Sequence, residues 1–164
     1  MKNSEQLYKA LSERILILDG AMGTMLQASG MPAGATPEEF CMENPDTLRG
    51  IHKAYLDAGV DLLTSCTFGG NIYKLPKSLD VFSFNRRMVE IAKEAAAQAG
   101  RPVFVAGNVG PTGHFAKPLG PVEPRHLIAA FALQIRGLVA GGADLIFIET
   151  QFDLAEARAA VVAA

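Results

Sequence analysis

The sequence predicts an α/β protein built around a parallel sheet, either an α/β barrel or a doubly wound sheet. Four short aliphatic runs recur along the chain and are almost continuously apolar, as expected for strands that are covered on both faces. Longer segments with helical periodicity separate these runs, so that helices and strands alternate. The four predicted strands cover residues 15–18, 60–68, 102–109 and 143–150.

Composition favours a single globular domain and excludes several functional classes. The chain has 164 residues, of which 49% are hydrophobic, and a formal net charge of −2. This size suits one domain, and the weak charge offers no basic surface for nucleic acid. No apolar run approaches the roughly 18 residues of a membrane span, and the polar N-terminal segment lacks the apolar core of a signal peptide. We therefore expect a cytoplasmic protein that binds neither nucleic acid nor membranes.

Two predicted helices lie between the first three strands and have recognisable starts and ends. Asn44 is a suitable N-cap before Pro45, and apolar residues then recur on one face until Gly59. Ser83 is predicted to cap the next helix, which continues to Gly100. Each helix therefore leads directly toward the following strand.

Two further predicted helices lie on either side of the fourth strand. A helical pattern extends from about Pro124 to Gly141. Asp153 and Glu156 have the spacing of a capping box, which predicts a last helix that begins there.

A short internal repeat supports this alternation. Residues 55–64 (YLDAGVDLLT) and 138–147 (LVAGGADLIF) share one pattern of small, acidic and aliphatic positions. Such an echo is expected if one helix-to-strand turn recurs in the architecture. We therefore interpret Asp61 and Asp144 as turn and strand-entry residues rather than as catalytic groups.

Polar residues follow the predicted strands where their carboxyl ends meet, which is where chemistry gathers in parallel α/β folds. Asp19 follows the first strand and Glu149 ends the fourth, so two carboxylates face the same end of the sheet. Such a pair could perform acid–base catalysis, hold a divalent cation or bind a substrate ammonium group. Small residues after Asp19 would let backbone N–H groups approach an anion, a combination that suits an amino acid.

The cysteines and histidines give no metal-binding pattern. Cys41 and Cys66 are the chain's two cysteines and form neither a CxxC pair nor a disulfide framework, so we expect unpaired thiols in a reduced compartment. His52 and His126 have no partner at metal-ligand spacing and are predicted to be packed or solvated side chains. His114 lies beside the tip of the third strand and is the histidine placed nearest the expected site.

Several stretches in order along the chain resemble the homocysteine S-methyltransferase family. The similarity is greatest to the N-terminal homocysteine-binding domain of the cobalamin-dependent methionine synthases, and it spans nearly all of the chain. The stretches are ILILDGAMGTMLQ, NPDTLRGIHKAYLDAGVDLLTSCTFGGN, VAGNVGPTG and ADLIFIETQFDLAEARAAV.

This resemblance implies a (β/α)8 TIM barrel, of which residues 1–164 would cover about the first four β/α units, the N-terminal half of the homocysteine-binding domain. It also implies methyl transfer from 5-methyltetrahydrofolate through methylcobalamin to the thiolate of homocysteine, which gives methionine. A zinc ion held by three cysteine thiolates would activate that thiol in the complete enzyme.

The resemblance also implies roles for individual residues. Asp19 and Glu149 would bind the amino group of homocysteine, while the backbone amides of Gly20 and Ala21 would receive its carboxylate. Further substrate-side candidates are Thr67 and His114.

One departure from the family limits these expectations. The zinc cysteines of the family lie in the second half of the barrel, and Cys66 stands where relatives usually carry asparagine. We therefore expect no metal ligand in these 164 residues, no bound cofactor, and no activity of this chain alone. The expected partners are the remaining half of the barrel and the methyl-donor domains.

Two alternatives remain open from the sequence. The chain could be a half-barrel binding module that pairs with a separate second half, or forms a homodimer through its open sheet edges, without catalysis. It could instead be an unrelated α/β enzyme that uses Asp19 and Glu149 as metal ligands.

Overall fold

The computed structural model describes residues 2–164, with side chains from Glu5 onward. Four helices precede the first strand, after which helices and strands alternate; the order is α1 Lys2–Glu13, α2 Met22–Ala28, α3 Pro37–Glu43, α4 Pro45–Asp57, β1 Leu62–Thr64, α5 Val81–Ala97, β2 Phe104–Val109, α6 Pro124–Ala140, β3 Leu145–Ile148 and α7 Leu154–Ala163. The prediction of an α/β fold with parallel strands is confirmed. No helix in this described part of the chain is long and apolar enough to cross a membrane.

The sheet has three parallel strands in the order β1-β2-β3. The predicted first strand, residues 15–18, does not form a regular strand. It joins the edge of β1 through one parallel bridge between Leu18 and Leu62, and the carbonyl of Ile17 accepts from the amides of Asp61 and Leu62. The amide of Ile17 donates to the Asp61 carboxylate at 2.9 Å, and the bridge to β1 is confined to Leu18.

Two strands of the sheet differ in how well they are covered. Every residue of β2 is buried, whereas every residue of β3 is only half-buried. β3 pairs with β2 on one side and has no partner strand on the other within the described residues. β3 is therefore an open edge of the sheet.

Apolar side chains of α5 and α6 cover the sheet and form the main core with β1 and β2. α6 lies very close to β2 at Gly107, where an added Cβ would be 3.0 Å from the Cβ of Leu138. A second core joins α2, α3, α4 and α5 through Leu26, Leu48 and Met88. This second core holds the short helices beside the carboxyl end of the sheet.

The starts of α4, α6 and α7 agree with the sequence prediction, but the Asn44 side chain makes no capping bond to α4 and instead donates to the carbonyl of Phe40 at 3.0 Å. α5 begins at Val81, and its N-cap is Asp80, whose carboxylate accepts from the amide of Ser83 at 2.8 Å. The prediction that Ser83 caps this helix was wrong, because the helix begins at Val81 and Ser83 already lies in its first turn, where its amide is capped by Asp80. Asp153 caps α7 as predicted.

The acidic residue of the predicted capping box has another partner. Glu156 is fully buried, and its Oε1 atom accepts from the amide and the hydroxyl of Thr112. Its side chain therefore fixes the loop after β2 instead of reaching back to the start of α7.

The strand-entry aspartates occupy equivalent positions, as the internal repeat predicts. Asp61 accepts from the amide of Ile17 and pairs with Arg14, while Asp144 accepts from the amide of Val105 and pairs with Lys93. In each case the carboxylate joins the start of one strand to the preceding strand segment.

Candidate functional site

A cavity of about 460 Å³ opens at the carboxyl end of the sheet. It is surrounded by the segment after Leu18, the loops after β1 and β3, the end of β2 and the start of α3. The polar side chains on its wall are Asp19, Glu38, Thr64, Ser65, Asn108 and Glu149. The two carboxylates predicted from the strand tips therefore share one cavity.

Asp19 is fixed by the last residue of β1. The amide of Thr64 donates to Oδ2 and its hydroxyl donates to Oδ1, each at 2.9 Å. Burial, with a smaller contribution from the nearby charge of Glu149, raises the pKa of Asp19 to about 6 despite these two hydrogen bonds. A cation placed between these carboxylates would stabilise the ionised form of Asp19.

Glu149 follows β3 directly and is oriented by a neighbouring amide. The side-chain nitrogen of Asn108 donates to its Oε1 atom at 2.8 Å. The next residue, Thr150, has a φ of 57°, a left-handed conformation that is uncommon outside glycine. The chain therefore turns away immediately after Glu149, which leaves that carboxylate at the tip of the strand.

Gly20 and Ala21 also line the cavity, on the segment between residue 18 and α2. The hydroxyl of Tyr55 donates to the carbonyl of Ala21 at 2.8 Å. A Cβ at Gly20 would be 3.1 Å from the same tyrosine oxygen, so glycine permits this close contact. The contact with α4 therefore holds the backbone amides of this segment near Asp19.

Thr67 does not lie on the cavity wall. It is fully buried, and its hydroxyl donates to the carbonyl of Asn108 at 2.7 Å. Gln134 of α6 donates to the carbonyl of Thr67 at 2.8 Å and, at 3.3 Å, to that of Asn108. These bonds connect the tips of β1 and β2 to the helix that covers them.

His114 also lies outside the cavity. Its side chain is exposed, its ring lies 4.9 Å from that of Tyr73, and its amide donates to the hydroxyl of Thr112 at 3.2 Å. The structure therefore brings together Asp19, Gly20, Ala21 and Glu149, but neither Thr67 nor His114 joins them on the cavity wall.

Sequence reasoning did not assign the other four polar side chains of the cavity wall, Glu38, Thr64, Ser65 and Asn108, to the site. Asn108 was recognisable as part of the polar tip of β2, but only the fold shows that it holds Glu149. Glu38 lies in a stretch without strand or motif signals, and its Oε1 atom accepts from the amide of Gly69 at 3.0 Å. No periodicity links Glu38 to that loop in the sequence.

The two cysteines are neighbours, although no pattern in the sequence predicts this contact. Both are free thiols, as predicted, but the Sγ atoms of Cys41 and Cys66 lie only 3.5 Å apart. Cys41 belongs to α3 and is fully buried, whereas Cys66 follows β1 and lines the cavity. The structure thus joins α3 to the loop after β1 through a pair of thiols.

The described residues do not provide a zinc site. No group of three or more Cys, His, Asp or Glu side chains lies together in a way that could hold a metal ion in this part of the chain. His52 and His126 belong to α4 and α6 and do not line the cavity. The three-thiolate site implied by the family resemblance therefore does not fit these residues.

Comparison with known proteins agrees with this geometry. A family model described as homocysteine S-methyltransferase matches residues 16–164. Methionine synthase from Mycobacterium tuberculosis is 34% identical over 172 residues, which cover 95% of this chain and 14% of that protein. Methionine synthase from Mycobacterium leprae shows the same identity and coverage.

Solved structures of the homocysteine methyltransferase MmuM from Escherichia coli are also similar. Its metallated form superposes with a TM-score of 0.77 at 26% identity, over 93% of this chain and 60% of that one. Its oxidized form gives a TM-score of 0.79 at 27% identity, over 91% and 57%. The chain therefore spans little more than half of this relative and about one seventh of the methionine synthases. The family match covers the paired carboxylates and the segment between them, and the chain belongs to the homocysteine S-methyltransferase family.

Proposed function

We propose that the cavity binds homocysteine by its amino acid portion, as part of an enzyme that methylates the sulfur and produces methionine. The observation that carries this proposal is the pairing of Asp19 and Glu149 on one cavity wall, beside the small residues of the Gly20 segment. Two carboxylates provide an acceptor set for one ammonium group, and nearby backbone amides provide donors for a carboxylate. Membership of the family supports homocysteine as the amino acid.

The electrostatics of the cavity favour this orientation of the ligand. Burial of Asp19 and its proximity to Glu149 make the doubly ionised pair unfavourable without a cation. A substrate ammonium group would supply that cation. Asn108 would keep the Glu149 carboxylate in place through its 2.8 Å hydrogen bond while the substrate enters.

The methyl transfer itself forms a bond between the substrate sulfur and the methyl carbon, while the bond from that carbon to the donor breaks. The thiol proton must leave so that the sulfur becomes a strong nucleophile. Zinc would supply this activation in the family, but the described residues do not hold a set of ligands for it. We assign to this chain the binding and orientation of the amino acid, not the activation of its thiol.

We further propose that residues 1–164 form about the first four units of a (β/α)8 barrel, half of a homocysteine-binding domain. The open edge at β3 and the shared cavity at the strand tips support this proposal. The remaining half would provide the zinc ligands, and methyl-donor domains with methylcobalamin and 5-methyltetrahydrofolate would provide the methyl group. On this proposal the chain alone binds the amino acid weakly and transfers no methyl group.

Replacement of Glu149 by Gln in the complete enzyme tests the substrate-binding role. We expect homocysteine affinity to fall roughly 10- to 100-fold, because one charged acceptor of the ammonium group is lost, while the zinc content stays constant. The measurement is titration calorimetry together with metal analysis. Glu43→Gln is the matched control, since Glu43 is exposed on α3 and does not line this cavity. Unchanged affinity in Glu149→Gln would exclude the assigned role.

A second candidate function is assembly without catalysis. Apolar side chains are exposed on α7, including Leu154, Val161 and Val162 at 85%, 64% and 62%. Exposed apolar surface beside an open sheet edge favours association with another chain. A homodimer or a complementary half could cover this surface.

A further inference from the structure

The contact between Cys41 and Cys66 is not required for the proposed binding of homocysteine. The sulfur atoms are 3.5 Å apart, so each needs to move by less than 1 Å, about half of the difference from the roughly 2.05 Å length of a disulfide bond. They are separated by 25 positions and lie on different elements, α3 and the loop after β1. The fold therefore brings a distant pair of thiols close to bonding distance.

The two thiols differ in their access to small molecules. Cys66 lines the cavity with 7% of its surface exposed, whereas Cys41 is fully buried and does not line it. A reagent inside the cavity would meet Cys66 first, and Cys41 lies directly behind it. This arrangement matches that of an attacking thiol and a resolving thiol.

Charges on the cavity wall indicate which reagents would be accepted. Asp19, Glu38 and Glu149 line the same cavity as Cys66. These carboxylates favour a cationic molecule over an anionic one. A low-molecular-weight disulfide that carries amino groups meets this requirement.

We propose that Cys41 and Cys66 form a reversible disulfide by exchange with a small, amine-bearing disulfide that enters the cavity. The Cys66 thiolate attacks one sulfur of the reagent, which forms a mixed disulfide and releases one thiol. The Cys41 thiolate then attacks the sulfur of Cys66, forms the Cys41–Cys66 bond and releases the second thiol. The two cysteines lose two electrons and two protons, and the reagent gains them as two thiols.

The environment of Cys66 sets the expected rate. The hydrogen bond with Cys41 and burial raise the pKa of the Cys66 thiol well above its ordinary value. Little thiolate is therefore present at neutral pH, and the exchange should be slow there and faster as the pH rises. The product would fix α3, which carries Glu38, to the loop after β1.

Cystamine is a suitable probe because it is a small disulfide with two amino groups. Incubation with the native chain should give a product whose intact mass is lower by two hydrogen atoms, and whose peptide map contains Cys41 linked to Cys66. Its melting temperature should rise by on the order of 10 °C, because the link closes a loop in the unfolded chain. Dithiothreitol should reverse both changes. Dithiodiglycolate, a disulfide with two carboxylates, should react more slowly.

Single-cysteine variants separate the two roles. Cys41→Ser should retain one cysteamine on Cys66, because the resolving thiol is absent. Cys66→Ser should remain unmodified while folded, because Cys41 does not line the cavity. Mixed disulfides on both cysteines of the native chain, disulfide-linked dimers, or reaction only after denaturation would each overturn the proposal. Peptide mapping of the unsubstituted chain decides the question even if a variant fails to fold.

Discussion

Two sets of interactions act on the pKa of Asp19 in opposite directions. Burial and the charge of Glu149 favour the protonated acid, while the amide and hydroxyl of Thr64 favour the carboxylate. The net effect raises the pKa to about 6. The residue therefore changes its charge just below neutral pH, where an ordinary aspartate is fully ionised.

This pKa predicts how binding of an amino acid depends on pH. Methionine is a useful ligand because its thioether does not titrate. Its affinity for the complete enzyme should be about tenfold weaker at pH 5 than at pH 7, because Asp19 must lose its proton to accept the ammonium group. Calorimetry across this range provides the measurement. Asp19→Asn should bind methionine weakly at both pH values, and a pH profile identical to that of the unsubstituted enzyme would contradict the prediction.

At the scale of the elements, α4 contains a buried histidine without polar partners. His52 is fully buried, and neither ring nitrogen has a hydrogen-bond partner among the described residues. Burial lowers its pKa from 6.5 to about 4. The native state therefore holds this ring neutral, whereas the unfolded chain protonates it below about pH 6.5.

Because of this low pKa, His52 makes the folded protein less stable at acidic pH. Above about pH 6.5 His52 is neutral in both the folded and the unfolded state and does not change the free energy of unfolding. As the pH falls from about 6.5 toward 4, the free energy of unfolding decreases, because the unfolded state binds an extra proton. The loss should reach about 3 kcal/mol across that window. Urea unfolding at several pH values measures it. His52→Leu should remove this part of the acid sensitivity, while His126→Gln, a change at an exposed histidine, should retain it.

The elements also show which structural features can be predicted from the sequence. The starts of α4, α6 and α7 were predicted correctly because proline and capping residues mark them. The role of Asp61 and Asp144 followed from the repeat around them. Residues 15–18 were predicted as a full strand because their apolar run resembles the others, but only Leu18 forms a bridge to β1.

Only part of the cavity could be predicted from the sequence. Asp19 and Glu149 could be placed together because both follow strands that end on the same edge of a parallel sheet. The contacts of Glu38 with Gly69 and of Cys41 with Cys66 depend instead on how α3 packs beside the sheet. No local pattern specifies that packing.

At the scale of the whole molecule, apolar surface remains exposed at both sides of the sheet. Ile15 and Ile17, on the β1 side, are 85% and 55% exposed, and Val161 and Val162 of α7 are 64% and 62% exposed. Two surfaces of this kind at the edges of one sheet favour pairing of chains. The proposal of a half barrel would explain both surfaces in the same way.

We therefore expect the isolated chain, of 17.4 kDa, to associate as its concentration rises. Light scattering should show a mass that approaches twice that of the monomer, because association covers apolar surface. Val161→Lys combined with Val162→Lys should weaken the association. Leu119→Lys is the matched control, since Leu119 is 80% exposed in the loop between β2 and α6. A monomer at every concentration would contradict the prediction and show that these apolar surfaces stay exposed to solvent.

The close approach of α6 to β2 at Gly107 connects the interior to the cavity. Gln134 lies one turn before Leu138 on the same helix and binds the carbonyls of Thr67 and Asn108. Asn108 in turn orients Glu149. A Cβ at position 107 would lie 3.0 to 3.2 Å from side-chain atoms of Leu138 and Ile146, so these neighbours would have to shift by a few tenths of an ångström. The packing of α6 on β2 is therefore linked to the orientation of Glu149 through Gln134 and Asn108.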